Sequence, residues 1–395
     1  VSPVLALGLS QIVGYGTLYY AFPILVPQVA ADLGWGQPAL YAVFSAGLLA
    51  GGLTAPAAGR RMDRHGAPRL MVAGSLAAGA LLAAQALSPS PLAFAAGVIA
   101  LEIVAVAVLY DAAFAALAFL RGAGARRAIT RLTLIAGFAS TIFWPLTAWL
   151  AEALGWRGTY AVFAALHLGL ALPLHLWLAR QPPAEPARLA PGRPLPDLPA
   201  LPAPLVRGAL AAVAGSFALS AALISAFGVH MVPILAAAGL GASATLAAMA
   251  MGPAQVAIRL VDALFWRSLH PLTVALISAL ALPGGALLLL AGLPAPVAAP
   301  LFAALFGVGQ GLASIVRGTV PYALFGPAGF GARLGRLALV RTLAAAGAPF
   351  GFSWLAAAAG TAPALIVFAV LGLCGAVPLM VLRRRLAREG LLAPA

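Results

Sequence analysis

The chain has 395 residues, 63% of them hydrophobic and only 8% charged, with a formal net charge of +14 and a mean hydropathy of +1.04. Average soluble domains carry about 25% charged residues, so the composition excludes a water-soluble enzyme. Every basic residue is arginine, and without a lysine the G-x-x-x-x-G-K-[ST] phosphate loop cannot be completed, which excludes ATP hydrolysis by this chain.

Apolar runs recur from end to end, each near the ~20 residues that a helix needs to cross the hydrocarbon core. Alternating barrel-type segments are absent, so helices do the spanning. The pattern predicts twelve spans, at 4–27, 38–58, 69–88, 91–118, 128–151, 157–179, 205–232, 241–266, 271–291, 296–325, 338–359 and 361–382. The first begins at Val4 with no basic stretch before it, and reads as a span rather than a cleaved leader. Between the sixth and seventh lies a Pro-rich segment carrying Glu185, Arg188, Arg193 and Asp197. It divides the chain into 1–180, a linker over 181–204, and 205–395. The fold expected is all-α and integral to the membrane.

Arginine sets the orientation. Arg60, Arg61, Arg64 and Arg69 follow span two; Arg121, Arg126, Arg127 and Arg131 follow span four. Arg180, Arg188, Arg193 and Arg207 belong to the linker or its edge, Arg267 follows span eight, and Arg333, Arg336 and Arg341 follow span ten. Arg383, Arg384, Arg385 and Arg388 close the chain, leaving only Arg157 in an opposite loop and Arg259 and Arg317 within spans. The positive-inside rule places the loaded side, and both termini, in the cytoplasm. The location expected is the cytoplasmic (inner) membrane of a prokaryote. The positive charge is thus a topology signal and not a nucleic-acid footprint. Cys374, the single cysteine, can form neither an internal disulfide nor a thiolate metal site and reads as a small buried apolar side chain.

Ionisable and polar residues inside spans are costly and therefore either paired or functional. In span one, Gln11, Tyr15 and Tyr19 recur at i, i+4, i+8 and form one stripe, which can face a cavity and hydrogen-bond a substrate or anchor helix packing. Glu102 and Asp111 in span four are nine residues apart and point in roughly opposite directions. Burial favours the protonated form of a carboxyl, which makes mid-membrane Glu102 the candidate proton carrier; a structural acid is the alternative. Asp111, nearer the cytoplasm, is expected to bond to Arg60, Arg61 or Arg121. In span five, Trp144-Pro145 either shapes the cavity or packs. His167 and His175 have no acidic neighbour and make no metal site; His230 is a pH sensor or an interfacial histidine.

Span eight carries Arg259 and Asp262 at i, i+3, and span ten carries Arg317 at similar depth. One Asp cannot neutralise two Arg, so an anionic substrate can supply the missing partner. The guanidinium fork matches a carboxylate. The alternative holds both arginines as part of an interhelical gate.

The loop after span two reads Gly59-Arg60-Arg61-Met62-Asp63-Arg64-His65-Gly66-Ala67-Pro68-Arg69. It resembles the signature loop of the major facilitator superfamily, G-x-x-x-D-R-x-G with basic residues following, and stands at the corresponding position. Gly59 and Gly66 permit a tight turn, and Asp63 can meet helix N-termini and loop arginines. Such a network, with Gly59, Asp63, Arg64, Gly66, Arg69 and Asp111 as its gating residues, can latch the inward side closed; a merely solvated charged loop is the alternative. The resemblance implies twelve helices in two pseudo-symmetric six-helix bundles around a central site. More finely, Arg126-Arg127-Ala128 leading into Gly137-Phe138-Ala139-Ser140-Thr141, together with Arg259 and Asp262, is similar to the monocarboxylate and oxalate transporter branch. The opening Ser10-Gln11-Ile12-Val13-Gly14-Tyr15-Gly16 departs from the acidic, Trp-rich start of eukaryotic monocarboxylate carriers.

The function expected is alternating-access transport of a small organic anion, a monocarboxylate first among them. Arg259, Arg317, Tyr15, Tyr19, Gln11 and Trp144 would bind it, and Glu102 or Asp262 would exchange protons in symport. Proton-driven efflux of drug-like or metalloid compounds is one alternative, and a non-transporting membrane receptor or assembly factor is another. The partners expected are the bilayer, the anion and protons, with no cofactor, no nucleic acid and a functional monomer.

Overall fold

The computed structural model describes residues 2–184, 201–266 and 268–392. Glu185, Arg188, Arg193, Asp197, most of the linker, and Arg267 lie outside the described residues.

The described chain is helical. In order come α1 (Pro3–Tyr15), a π-turn (Gly16–Tyr20), α2 (Phe22–Leu33), α3 (Gln37–His65), α4 (Ala67–Ala86), α5 (Pro91–Ala105), α6 (Tyr110–Arg121), α7 (Ala125–Ala136) and α8 (Ala139–Leu166). A second π-turn (His167–Ala171) leads to α9 (Leu172–Ala179). Beyond the linker come α10 (Ala203–Leu235), α11 (Ala244–Ala248), α12 (Met251–Leu264), α13 (Pro271–Leu290), α14 (Ala295–Phe325), α15 (Phe330–Ala359) and α16 (Thr361–Arg388).

Among the described residues ten helical runs are long and apolar enough to cross a membrane, and the bent pair Pro3–Tyr20 with Phe22–Leu33 makes eleven. The chain is thus an all-α, multi-pass membrane protein. One of the ten, Ala125–Ala179, has 55 residues and would be about 80 Å long if straight, against a core of about 30 Å. It is not straight: Gly155 has φ 68° and ψ 175°, a conformation open essentially to glycine alone. Phe143 and Phe163, on either side of it, bring their ring centroids to 6.1 Å, so the run doubles back.

The chain divides into two compact units, Val1–Pro194 with Pro327–Leu339, and Leu195–Gly326 with Val340–Ala395. In the first, the core is aromatic and branched: Phe22, Leu25, Val26, Phe94, Phe143, Trp156, Tyr160 and Phe163 are all buried. Helices approach closely where one of them has no side chain. A Cβ on Gly8 would lie 2.7 Å from Ile135, and one on Gly79 2.6 Å from Leu168. Close packing of small residues is what joins helices where lipid supplies no hydrophobic drive. In the second unit, Phe227 stands at the centre of Phe302, Phe306, Phe352 and Phe368, with centroids 5.8 to 6.4 Å away. Gly309 lies against Leu282, and Gly372 against Leu223 and Pro283. Cys374, expected to be buried, is exposed on α16, as are Leu371, Leu373 and Val377 beside it; an apolar helix facing lipid has no need to hide it.

The first π-turn and the join between α5 and α6 both break the regularity of a span. Residues 106–109 at that join are not helical, and Leu109 is extended, with φ −85° and ψ −165°. A stretch that reads as one span in the sequence is therefore two half-helices. Gln11 Nε2 donates to the Val108 carbonyl across this break at 2.7 Å, satisfying a backbone acceptor that an unbroken helix would have satisfied itself.

Candidate functional site

In the first unit the signature segment ends α3 and begins α4. Gly66 has φ 85° and ψ 129°, so the turn requires glycine there. Asp63 accepts hydrogen bonds from the backbone N–H of Gly331 and of Ala332, each at 2.8 Å. These are orphan donors at the start of α15, and the negative carboxylate also complements that helix end. A Cβ on Gly59 would lie 2.1 Å from the Gly331 carbonyl oxygen, and one on Gly335 2.3 Å from that of Ala55. The two helices thus cross backbone to backbone. Arg64 and Arg69 are exposed and, among the described residues, form no ion pair with Asp63. Arg333 is close enough to interact with it electrostatically.

Glu102 on α5 is 6% exposed. Gly47 and Gly51 of α3 close over it: a Cβ on Gly47 would lie 2.9 Å from Glu102 Cγ, and one on Gly51 2.6 Å from its carbonyl oxygen. Among the described residues no hydrogen bond or ion pair reaches its carboxyl, while Tyr19 and Tyr160 are within electrostatic range. Asp111 is buried in the first turn of α6, where a carboxylate opposes the half-helix dipole. The arginines expected to hold it do not: Arg60, Arg61 and Arg121 form no side-chain hydrogen bond or ion pair among the described residues. The break at 106–109 places Asp111 at a helix start rather than in mid-helix.

The stripe expected of Gln11, Tyr15 and Tyr19 does not survive the π-turn. Ala21 N–H donates to the Gly16 carbonyl at 3.0 Å, an i→i+5 bond that adds one residue to the turn and rotates the residues beyond it. Tyr15 consequently meets Tyr20 at 6.3 Å and Tyr110 at 4.7 Å, while Tyr19 meets Tyr20 at 5.4 Å and Phe44 at 5.9 Å. Gln11 is wholly buried and bonded to Val108, which removes it from any open face. Trp144 on α8 is 54% exposed with its ring 6.3 Å from Tyr20. The result is a continuous aromatic run in which Tyr19, Tyr20 and Trp144 adjoin.

In the second unit α12 and α14 pack side by side. A Cβ on Gly307 would lie 2.3 Å from the Met251 carbonyl oxygen, and one on Gly311 2.9 Å from that of Gln255. The constant offset shows that the helices run in the same direction. Gln255 Nε2 donates to Gln310 Oε1 at 2.9 Å, a pair that polar residues inside spans eight and ten signal in retrospect. Arg259 is 6% exposed, and its one hydrogen bond is from Nε to the Gly311 carbonyl at 3.5 Å. That carbonyl is shared with Ser314 Oγ at 2.7 Å. No other hydrogen bond or ion pair reaches the Arg259 guanidinium among the described residues. Asp262, three residues on, is buried as well. Arg317 on α14 is half-buried; by the offset it faces a level roughly 3 Å further along than Arg259. His230, on α10, donates or accepts at both ring nitrogens, to the Ala226 carbonyl at 2.9 Å and Ser353 Oγ at 2.6 Å.

Sequence reasoning missed a cluster at the far end of α2. Asp32 pairs with Arg157, Trp156 Nε1 donates to Asp32 at 3.2 Å, and the Arg157 guanidinium lies 4.1 Å above the Trp156 ring. The isolation of Arg157 in its loop was the available signal. No group of three or more metal-ligating side chains occurs among the described residues.

Residues 7–319 match the family model of the Major Facilitator Superfamily. No curated protein sequence matches the chain. Among solved structures, it is similar to the human organic anion transporter MFSD10 (TETRAN), at 18% identity and TM-score 0.72 over 95% of this chain and 98% of that one. It is also similar to the proton:xylose symporter XylE bound to 6-bromo-6-deoxy-D-glucose, at 14% identity and TM-score 0.67 over 95% of this chain and 94% of that one. With the family matched over most of its length and the fold over nearly all of it, the chain belongs to the major facilitator superfamily and is a membrane transporter of small molecules, not an enzyme.

Proposed function

We propose that the chain carries a small organic anion, a monocarboxylate first among them, by alternating access in symport with protons. The observation that carries this reading is Arg259: a nearly buried guanidinium whose one acceptor among the described residues is a backbone carbonyl at 3.5 Å. A cation at that depth is costly without a partner, and a carboxylate can accept two parallel hydrogen bonds from the free end of its fork. Arg317 adds positive charge along the same pair of helices. MFSD10 is itself called an organic anion transporter, which agrees with this cargo class.

Glu102 is the proposed proton carrier, with Asp262 the other acid in play. An ionised carboxyl at mid-membrane without a hydrogen-bonding partner is costly, and a proton removes the charge. The similar XylE is described as a proton symporter, which agrees with such coupling. We read the doubled-back run 125–179 as two spans, giving twelve, arranged as two six-helix bundles with both termini in the cytoplasm of a prokaryote, and the functional unit as a monomer. The adjoining Tyr19, Tyr20 and Trp144 favour a second reading, efflux of a flat apolar compound that stacks on them.

The test is uptake of radiolabelled carboxylates into proteoliposomes, with and without an inward proton gradient. Saturable, gradient-stimulated uptake is expected. Arg259→Ala should raise KM about 100-fold or more, the cost of truncating one partner of a buried charge pair. Arg259→Lys should recover only part of it, since it keeps the charge but not the fork. Absence of saturable flux for every carboxylate, from folded protein that does export a flat apolar aromatic compound, would replace this reading with efflux.

A further inference from the structure

His167 and His175 are both 1% exposed and lie on the second π-turn and α9. His167 Nε2 pairs with Thr17 Oγ1 of the first π-turn at 2.8 Å. His175 Nδ1 pairs with Ser75 Oγ of α4 at 2.6 Å, with the Met71 carbonyl beside it. Each ring's second nitrogen, His167 Nδ1 and His175 Nε2, is buried with no partner among the described residues, and so is Gln11 Oε1.

These three atoms belong to one region of the first unit. Gln11 bonds the Val108 carbonyl; Val108 packs on Gly74, and the next residue, Ser75, holds His175. At the other end Leu168, next to His167, packs on Gly79, one turn from Ser75. The first π-turn meets the second while α1 meets α9, so α1 and α9 run in opposite directions. Gln11, six residues before Thr17, and His175, eight after His167, are therefore displaced in the same sense, by about 9 and 12 Å. The two imidazoles are close enough to interact electrostatically.

We propose that Gln11, His167 and His175 line an internal hydrated site, in which bound water connects the two imidazoles and lets them hold one proton between them. Buried polar atoms are nearly always hydrogen-bonded, to ordered water where the protein offers nothing. The occupant must donate to the Gln11 amide oxygen and both donate to and accept from ring nitrogens; water does all three. A proton leaving one ring nitrogen is accepted by water, which passes one of its own to the other ring. One positive charge moves, and no other bond changes.

The titratable groups on the packed elements leave both rings to each other. On the first π-turn and α1, Tyr15, Tyr19 and Tyr20 are turned into ring contacts. On α4, Arg69 is exposed. On α8, Glu152 is exposed, Arg157 is held by Asp32, and Tyr160 packs on Phe94, Trp156 and Phe163. None hydrogen-bonds to either imidazole.

The test is deuterium exchange at the imidazole C2 position, read by mass spectrometry on the full chain in lipid nanodiscs across a pD series. His65, which is exposed, is the internal reference. Both buried histidines are expected to exchange within days and with sigmoidal pD profiles. Thr17→Val and Ser75→Ala keep both rings. Each should change the exchange rate of the ring it touches, and of the other through the shared water, by about threefold or more. No deuterium at His167 and His175 while His65 exchanges fully would show a dry core and overturn the proposal. A change confined to the touched ring would overturn the shared site.

Discussion

Asp63 holds the first turn of α15 with two hydrogen bonds of 2.8 Å from the backbone of Gly331 and Ala332, doing from 268 residues away what a local cap does. Asp63→Ala should cost about 0.5–2 kcal/mol, the range for losing a helix cap, seen as a lower midpoint of thermal unfolding in detergent. Gly59→Ala should cost more, because its Cβ would meet the Gly331 carbonyl oxygen at 2.1 Å, and backbone cannot swing aside as a side chain can. Transport assays separate Glu102 from Arg259. Glu102→Gln keeps the shape of a protonated carboxyl but cannot release a proton, so gradient-driven accumulation should fall to background while exchange of labelled for unlabelled substrate persists. Loss of both activities in folded protein would make Glu102 a packing residue.

At the scale of elements, the units are assembled where glycine removes a side chain. Along α12 and α14 the contact runs through Gly307 and Gly311, and it sets the position of Arg259 against the Gly311 carbonyl. Gly307→Ala would press a methyl to 2.3 Å from the Met251 carbonyl oxygen. Separating the helices should cost about 1–3 kcal/mol by overpacking, with a raised KM for the anion because Arg259 moves with α12. Gly311→Ala should be milder, since its closest neighbour is the Ile258 methyl at 2.7 Å, though the Gln255 carbonyl at 2.9 Å limits the relief. A thermal-shift series on the two variants checks the ranking. The irregular elements obey a different logic. The π-turn at Gly16–Tyr20 and the break at 106–109 are held by partners distant in sequence, His167 for Thr17 and Gln11 for Val108.

For the whole molecule, the testable quantity is topology. A reporter active only outside the cytoplasm, fused after Gly155, should be active, while fusions after Arg121 and Ala184 should be silent. Activity at neither 155 nor 184 would remove two spans from the proposed twelve and leave the 125–179 run on one side of the membrane. Composition made the class of molecule legible, since 8% charged residues cannot solvate a surface of this size. The signature segment made the family legible, because Gly66, at φ 85°, is demanded by local geometry that the sequence must encode in place, and Gly59 and Asp63 stand at a fixed spacing from it.

Residue types and their spacing along one helix were enough to identify an all-α, multi-pass chain, the arginine asymmetry, and Arg259, Asp262 and Glu102 as charges inside apolar runs, because the bilayer penalises each of them wherever its neighbours stand. Only tertiary structure decided the rest. The stripe of Gln11, Tyr15 and Tyr19 assumed 3.6 residues per turn, and the π-turn broke that assumption through contacts made elsewhere in the fold. Asp111 was assigned to arginines that form no pair with it, because a helix break cannot be read from a run of Val and Ala residues that would propagate a helix equally well. The partners of His167, His175 and Asp63 come from other helices, and hydrogen bonds between segments far apart in sequence leave no periodicity to read.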